Sequence, residues 1–351
     1  MESVFFLGAS TPQGFVSHYD SLFREVRRLT VIKGGSGCGK STFMRAIGRA
    51  AQERGLDVSY ILCSSDPDSL DGVILPQLSA AWVDGTAPHV LEPRLCGGSM
   101  NFLNFGEFYD SAAMQEKEEE ILSVQRKNAA QYPHVTACLA AADALRGSIR
   151  LHVDTPAYRE EMAAIAECIL LSSCKPVGDP QEGFAKRFLS AVTPKGLYFC
   201  QNTPASLCRR VYVLRDEYGL APLLLETLQA RAQSLGHTCI ACYSPLLPDG
   251  QPTHLLIPSA DTAVVSESTQ LSYNAPCFCR IDLNSTLPPK TRASMEFCVK
   301  TVSALLYQAV AHLRAAKQHH DRIEALCKPF VDFSAVDLLT KKTIRQVFGE
   351  N

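Results

Sequence analysis

This sequence lacks an excess of charge of either sign, a long apolar run and a basic leader. With 34 Lys and Arg against 36 Asp and Glu, the net charge is −2, so there is no electrostatic footprint for nucleic acid as the main ligand. No apolar stretch is long enough to span a bilayer, so no membrane segment is expected. The opening Met1-Glu2-Ser3-Val4-Phe5-Phe6-Leu7 has neither a basic n-region nor a proper h-region, so no secretory signal is expected and a cytoplasmic protein is favoured. Apolar residues make up 46% and charged residues 20%, the balance of a globular chain, and 351 residues suggest two domains of ordinary size.

Cysteine is present in number, 14 in all, but the spacing gives little metal chemistry. Cys239 and Cys242 form a C-x-x-C and Cys277 and Cys279 a C-x-C, which together suggest a zinc site. The first pair lies in a strand-like apolar run, where its two side chains face opposite ways. Buried small hydrophobes are therefore the preferred reading.

The strongest positive signal is Gly34-Gly35-Ser36-Gly37-Cys38-Gly39-Lys40-Ser41-Thr42, which fits G-x-x-x-x-G-K-[ST]. Leu29-Thr30-Val31-Ile32 before it reads as a strand. Phe43, Met44, Ile47, Ala50 and Ala51 after it recur at helical spacing, and Gly55 is placed to end that helix. A glycine loop between strand and helix can turn its N–H groups onto phosphate oxygens, with the helix N-terminus adding positive potential. Lys40 is then expected to reach the β- and γ-phosphates of ATP, and the Ser41 hydroxyl to bind Mg²⁺. Cys38 reads as a tolerated position, with an exposed, oxidisable thiol as the alternative.

The chain also repeats itself. Phe6-Leu7-Gly8-Ala9-Ser10-Thr11-Pro12-Gln13-Gly14 recurs as Phe188-Leu189-Ser190-Ala191-Val192-Thr193-Pro194-Lys195-Gly196, 182 positions on. The helix end Ala50 to Gly55 recurs as Arg231 to Gly236, and Val73-Ile74-Leu75-Pro76 as Leu255-Leu256-Ile257-Pro258. Each half is expected to run strand, loop, helix, strand, loop, strand and then a helical tail. The tails are read at Ala112 to Leu145 and Tyr158 to Leu171, and at Arg292 to Cys327 and Val336 to Val347, as a lid, a dimer face or packing between the halves, the last being preferred. The Pro/Gly-rich Lys175 to Pro180 puts the boundary between domains 1–178 and 179–351. The predicted fold is α/β, two tandem P-loop NTPase-like domains with parallel sheets flanked by helices, the second degenerate.

That degeneracy follows from comparing the halves. Aligned at the helix, Gly34 falls on Arg215, Gly39 on Leu220, Lys40 on Ala221 and Ser41 on Pro222, and Asp216 and Glu217 would repel phosphate. One nucleotide site is expected. Residues lost together with the loop are candidates for its chemistry. Asp84 becomes Ser266, His89 becomes Leu271, Asp66 becomes Leu247, and Asp71 falls near Gln251 to Thr253. Asp68 is retained as Asp249 and so is weakened. Ala80-Ala81-Trp82-Val83-Asp84 is an apolar strand ending in an acid, the arrangement that binds Mg²⁺ beside a phosphate loop. Ser64 to Gly72 reads as an acidic loop beyond a strand, where Asp66 or Asp71 orients a water or accepts a proton, or is a solvated turn. Gly85 stands where many such ATPases carry a water-polarising Glu. His89 is a candidate for that role, and Arg27, Arg28 and Arg94 are candidates for stabilising transferred charge.

The long motifs Cys63 to Val73 and Asp84 to His89, with the Gly-Lys-Ser loop and the start Gly14-Phe15-Val16-Ser17, resemble those of a family of duplicated bacterial P-loop proteins described as predicted ATPases or nucleotide kinases. The resemblance covers nearly the whole chain and implies tandem P-loop domains and ATP binding. Family members often carry a second G-K-[ST] loop, which this chain lacks. Three readings stay open. They are a Mg²⁺-dependent ATPase whose nucleotide state changes the contact between halves, a phosphotransferase acting on a small molecule or nucleotide, and a nucleotide-dependent regulator that docks a partner.

Overall fold

A computed structural model describes residues 1–87, 91 and 100–349. In the first half β1 (Glu2–Phe6), β2 (Gly8–Thr11), β3 (Gly14–Ser17), α1 (Leu22–Glu25), β4 (Arg28–Lys33), α2 (Lys40–Glu53), β5 (Val58–Cys63), β6 (Asp66–Leu75), β7 (Ala80–Asp84) and β8 (Met100–Asn104) precede four helices. These are α3 (Ser111–Gln115), α4 (Glu118–Ala129), α5 (Tyr132–Val153) and α6 (Pro156–Ser173). The second half repeats the plan with β9 (Phe184–Arg187), β10 (Ser190–Thr193), β11 (Gly196–Phe199), α7 (Thr203–Leu207), β12 (Arg210–Arg215), α8 (Ala221–Ser234), β13 (Cys239–Cys242), β14 (His254–Ile257), β15 (Thr262–Glu267) and β16 (Cys279–Asp282). It ends in α9 (Pro289–Cys327) and α10 (Phe333–Phe348).

The duplication expected from sequence is present strand by strand. One six-stranded sheet has the order β1-β5-β6-β7-β4-β8 and the other β9-β13-β14-β15-β12-β16. Each is parallel except for one strand, β6 or β14. Apolar β-branched residues fill the central strands, and helices cover the faces, as buried sheets require. The repeat extends to turn chemistry. Thr11 and Thr193 each donate a side-chain bond to the carbonyl three residues on, Gly14 or Gly196, at 2.8 and 2.9 Å. At the ends of α2 and α8, Gly55 and Gly236 take positive φ, and the next residue bonds back to Ala51 or Ala232 at 3.0 and 3.1 Å.

Two expectations need correction. Ser64 to Gly72 is not a loop, because Asp66 to Gly72 belong to β6, which pairs antiparallel with β5 and β7. Pro67, Leu70 and Val73 lie three residues apart, off the period of two that marks a regular strand, and the pairing with β5 shifts register between Ile61 and Cys63. The register of the two loops also differs from the sequence alignment. β4 ends at Lys33 and β12 at Arg215, while α2 starts at Lys40 and α8 at Ala221. The second loop is therefore one residue shorter, and Arg215 corresponds to Lys33, not to Gly34.

The halves meet about a pseudo-two-fold axis. Phe6 and Phe188, partners in the repeat, exchange backbone hydrogen bonds at 2.9 Å in both directions. His134 of α5 and His312 of α9 stack at 4.8 Å. Beyond that axis the tails cross over. α6 packs on α8 and α10 packs on α2, so each half's last helix covers the other half's loop helix. The chain boundary near 178 separates the two sheets, but the tail helices lie on the opposite side of it. Among the described residues no helix is long and apolar enough to cross a membrane.

Burial of imidazole at this junction sets an acid limit. His18 stacks on Phe188 at 4.4 Å, and burial, helped by Lys186, lowers its pKa to about 4. His254 stacks on Phe199, and burial lowers its pKa to about 3. The unfolded chain takes up these protons below the ordinary value of 6.5 and the folded chain does not, so stability is lost as pH falls from 6.5 toward 4. The slope is about 1.4 kcal/mol per pH unit for each histidine. Urea melts of wild type and His18→Phe at several pH values test this, and an unchanged slope in the variant excludes His18 as a contributor.

Candidate functional site

The glycine loop lies at the carboxyl end of β4, which has β7 and β8 as parallel neighbours. This is the edge of an α/β sheet where ligands are held. Gly37 and Gly39 take φ of +78° and +92°, a region closed to most side chains, and Gly39 is the N-cap of α2. Ser36 and Gly37 form a turn, Gly39 brings no side-chain cap to α2, and the Lys40 N–H turns to the Cys38 thiol. A glycine-lined turn at a helix N-terminus without a side-chain cap suits a phosphate.

Lys40 folds back over this loop. Its Nζ donates to Gly34 O at 2.7 Å and to Gly35 O at 2.8 Å, and lies 3.5 Å from Asp84 Oδ2. Asp84 is held by the register Ile32–Asp84, and its Oδ1 accepts from Thr86 N and Oγ1 at 2.8 and 2.6 Å. Burial raises its pKa, while Lys40 and Thr86 oppose the rise. One step beyond the Gly72–Val83 pair, Asp71 comes opposite Asp84 on the adjacent strand. Asp71 is 5% exposed, and its charge adds to the rise at Asp84. Ser41 Oγ accepts from Leu70 N at 2.9 Å, which ties α2 to β6 just before Asp71. Lys40, Ser41, Asp71 and Asp84 are thus brought together.

The other candidates divide. Asp66 stands at the start of β6 and pairs with Lys317 of α9 at 3.4 Å. Asp68 is exposed and pairs with Lys195 at 2.6 Å. Arg27 and Arg28 lie at the entrance of β4, the opposite end of the sheet from the loop, and bond to Ser79 and Leu78. His89 and Arg94 lie outside the described residues. Cys38 is buried, its Sγ donating to Gly35 O at 3.1 Å, and burial raises the thiol pKa, so the exposed oxidisable thiol is excluded.

Two further contributors escaped sequence reasoning. The first is the crossed tail. Glu324 and Lys328, at the end of α9, stand 3.5 and 3.1 Å from where a Cβ on Gly37 would be, and Val336 of α10 stands 3.3 Å from that of Gly39. Tyr109 donates to Ser36 O at 2.8 Å from the other side. No local pattern announces contacts across the whole chain. The second is Asp216. Its Oδ1 accepts from the N–H groups of Tyr218, Gly219 and Leu220 at 3.1, 2.8 and 3.0 Å, and its Oδ2 from Ala221 N at 2.7 Å. A carboxylate of the chain itself occupies the cradle of the second loop. This goes further than repulsion of a phosphate, because the donors are already spent. Arg146 of α5 lies near this carboxylate. Burial pulls its pKa down and Asp216 pushes it back up.

One bound triphosphate per chain is the expected stoichiometry. Calorimetry returning two equivalent sites would contradict the occupied second cradle. Searches against protein-family models, curated proteins and solved structures found no match.

Proposed function

We propose that this chain is an ATP-binding P-loop protein that hydrolyses ATP slowly with Mg²⁺ at one site in its first half. The observation that carries the reading is the meeting of Lys40 Nζ with two loop carbonyls and with buried Asp84 at a helix N-terminus that has no side-chain cap. On this reading the N–H groups of Ser36 to Ser41 hold phosphate oxygens, and Lys40 leaves the loop carbonyls for the β- and γ-phosphates. The Ser41 hydroxyl and the Asp84 carboxylate are hard oxygen donors of the kind Mg²⁺ takes, and they would hold it. Bound there, Mg²⁺ would supply positive charge to offset that developing on the phosphates. Asp71, beside Asp84, is the acid best placed to orient the attacking water. The tail of the second half rests on the loop, so occupancy of the loop bears directly on the contact between halves.

A phosphotransferase is the second reading, and Gly85 favours it. A side chain at position 85 would run into Val31 Cγ1, so the backbone leaves no place for a glutamate after Asp84. Hydrolysis would then lack its usual water-polarising carboxylate. Phosphate release from ATP alone, measured beside a metabolite panel with a Lys40→Ala control, separates the two. Steady release supports the hydrolase, and ADP formed only on adding an acceptor supports the transferase. Within either reading Asp71→Asn is expected to lower turnover by about tenfold or more, and Asp66→Asn less. Asp68→Asn is expected to have the smallest effect. Should Asp66→Asn or Asp68→Asn prove the more damaging, the role given to Asp71 fails.

A further inference from the structure

We propose that the second half keeps a ligand site of different chemistry, a cavity for a small molecule bearing a carboxylate or monophosphate group. The cavity, ≈ 330 Å³ in volume, opens at the carboxyl ends of β12, β15 and β16 and is lined by Arg215, Arg280, Glu267, Thr269 and Asn284 among others. This is the small end of the range for ligand pockets. It occupies the edge of the sheet that corresponds to the glycine-loop site, with Arg215 at the position of Lys33 and Glu267 at that of Gly85.

Glu267 organises the site. Its side chain is 10% exposed, and its Oε1 accepts from Nε of both Arg215 and Arg280 at 3.2 Å. Its Oε2 accepts from Tyr273 N at 3.2 Å. The lining carries two arginines against two glutamates, so its formal charges balance, and its affinity for an anion rests on the guanidinium N–H groups that the glutamates leave free. Among the described residues Arg215 spends only its Nε–H on the protein, and Arg280 spends one further N–H on Tyr273 O at 2.6 Å. The remaining N–H groups form forks suited to carboxylate or phosphate oxygens. Glu217, also on the lining, is turned to the backbone N–H and hydroxyl of Thr269. With Glu217 and Glu267 both present, a triphosphate is disfavoured and a single anionic group is preferred.

Neighbours of the lining residues connect the cavity to the long helix. Asn284, whose side chain accepts from Glu217 N at 2.9 Å, lies just before α9, and Gln270 bonds to Ser303 on α9. The far end of the same 39-residue helix rests on Gly37. An occupant that shifts α9 would alter ATP affinity, and ATP would alter that of the occupant by the same factor. This coupling rests on the ATP-binding reading, whereas the site itself does not.

The test is calorimetric titration of the full chain, wild type and Lys40→Ala, with inorganic phosphate, phosphoserine and glutamate. Saturable 1:1 binding of at least one probe is expected, equal in Lys40→Ala and weakened tenfold or more in Arg280→Ala. Arg215→Gln, on the more exposed side chain, is expected to weaken it likewise and serves if Arg280→Ala fails to fold. Heats no larger than those of sodium chloride for all three probes, or full affinity in the arginine variants, overturn the proposal. Probe binding that survives in Lys40→Ala while ATP binding is absent in wild type would leave this site standing and remove the ATP reading.

Discussion

Lys40→Ala is expected to weaken ATP binding by about a hundredfold, with turnover falling to background. The side chain is 11% exposed, and its ammonium sits among Gly34 O, Gly35 O and Asp84 Oδ2. On binding it would exchange those three partners for phosphate oxygens. Loss of one charged partner in such a buried pair costs about 3 kcal/mol, and each 1.4 kcal/mol is roughly tenfold. Lys40→Arg keeps the charge, but its planar fork does not fit a pocket built for a point charge, so it should recover only part of the loss. Calorimetry with ATP and Mg²⁺ reads the effect directly, and wild-type affinity in Lys40→Ala would remove the site assignment.

Asp84→Asn is expected to abolish the dependence of ATP binding on Mg²⁺ and to lower turnover by about 10- to 100-fold. The amide keeps an oxygen for the Thr86 bonds, so local geometry survives while the charge is lost. Burial has already raised the pKa of this carboxyl, and Lys40 is the main influence opposing that rise. When Lys40 turns to phosphate, Asp84 loses that support unless another cation takes its place, which ties the carboxylate to the metal. Equal ATP affinity with Mg²⁺ and with EDTA in Asp84→Asn, against a large difference in wild type, is the expected pattern. A variant that keeps full Mg²⁺ dependence would exclude Asp84 as the metal partner.

Much of this architecture was legible in the residues. The loop, its strand and helix, and the acid at the end of β7 all follow from short-range signals, namely apolar periodicity, glycine spacing and an Asp after a buried run. The duplication was legible because the Thr-Pro-x-Gly turn and the helix-ending glycine are fixed by backbone geometry and resist drift. Asp66 to Gly72 misled because Asp, Pro and Ser mark turns, yet here they line an antiparallel strand whose partners lie on both sides. Asp71 gains weight over Asp66 only when the register places it opposite Asp84 and finds Asp66 with Lys317. The role of Asp216 was hidden for a similar reason. A carboxylate looks hostile to an anion cradle until its distances to four N–H groups make it the occupant.

The crossed tails bear on how this molecule is made. α10 packs on α2 and α6 packs on α8, so the helix that covers α8 is made before it, whereas the helix that covers α2 is made last. The first half must therefore wait for the last helix of the chain before its glycine loop is covered. Unfolding should follow as a single cooperative transition rather than two, and a fragment of residues 1–178 should remain soluble only when supplied with its complement. Two separate calorimetric peaks from the intact chain would show that the halves fold independently despite the exchange. The two copies are in this sense expected to form one folding unit. The second half's scaffold is needed by the first whatever its own loop does, because the glycine loop of the first half is roofed by the second half's final helix.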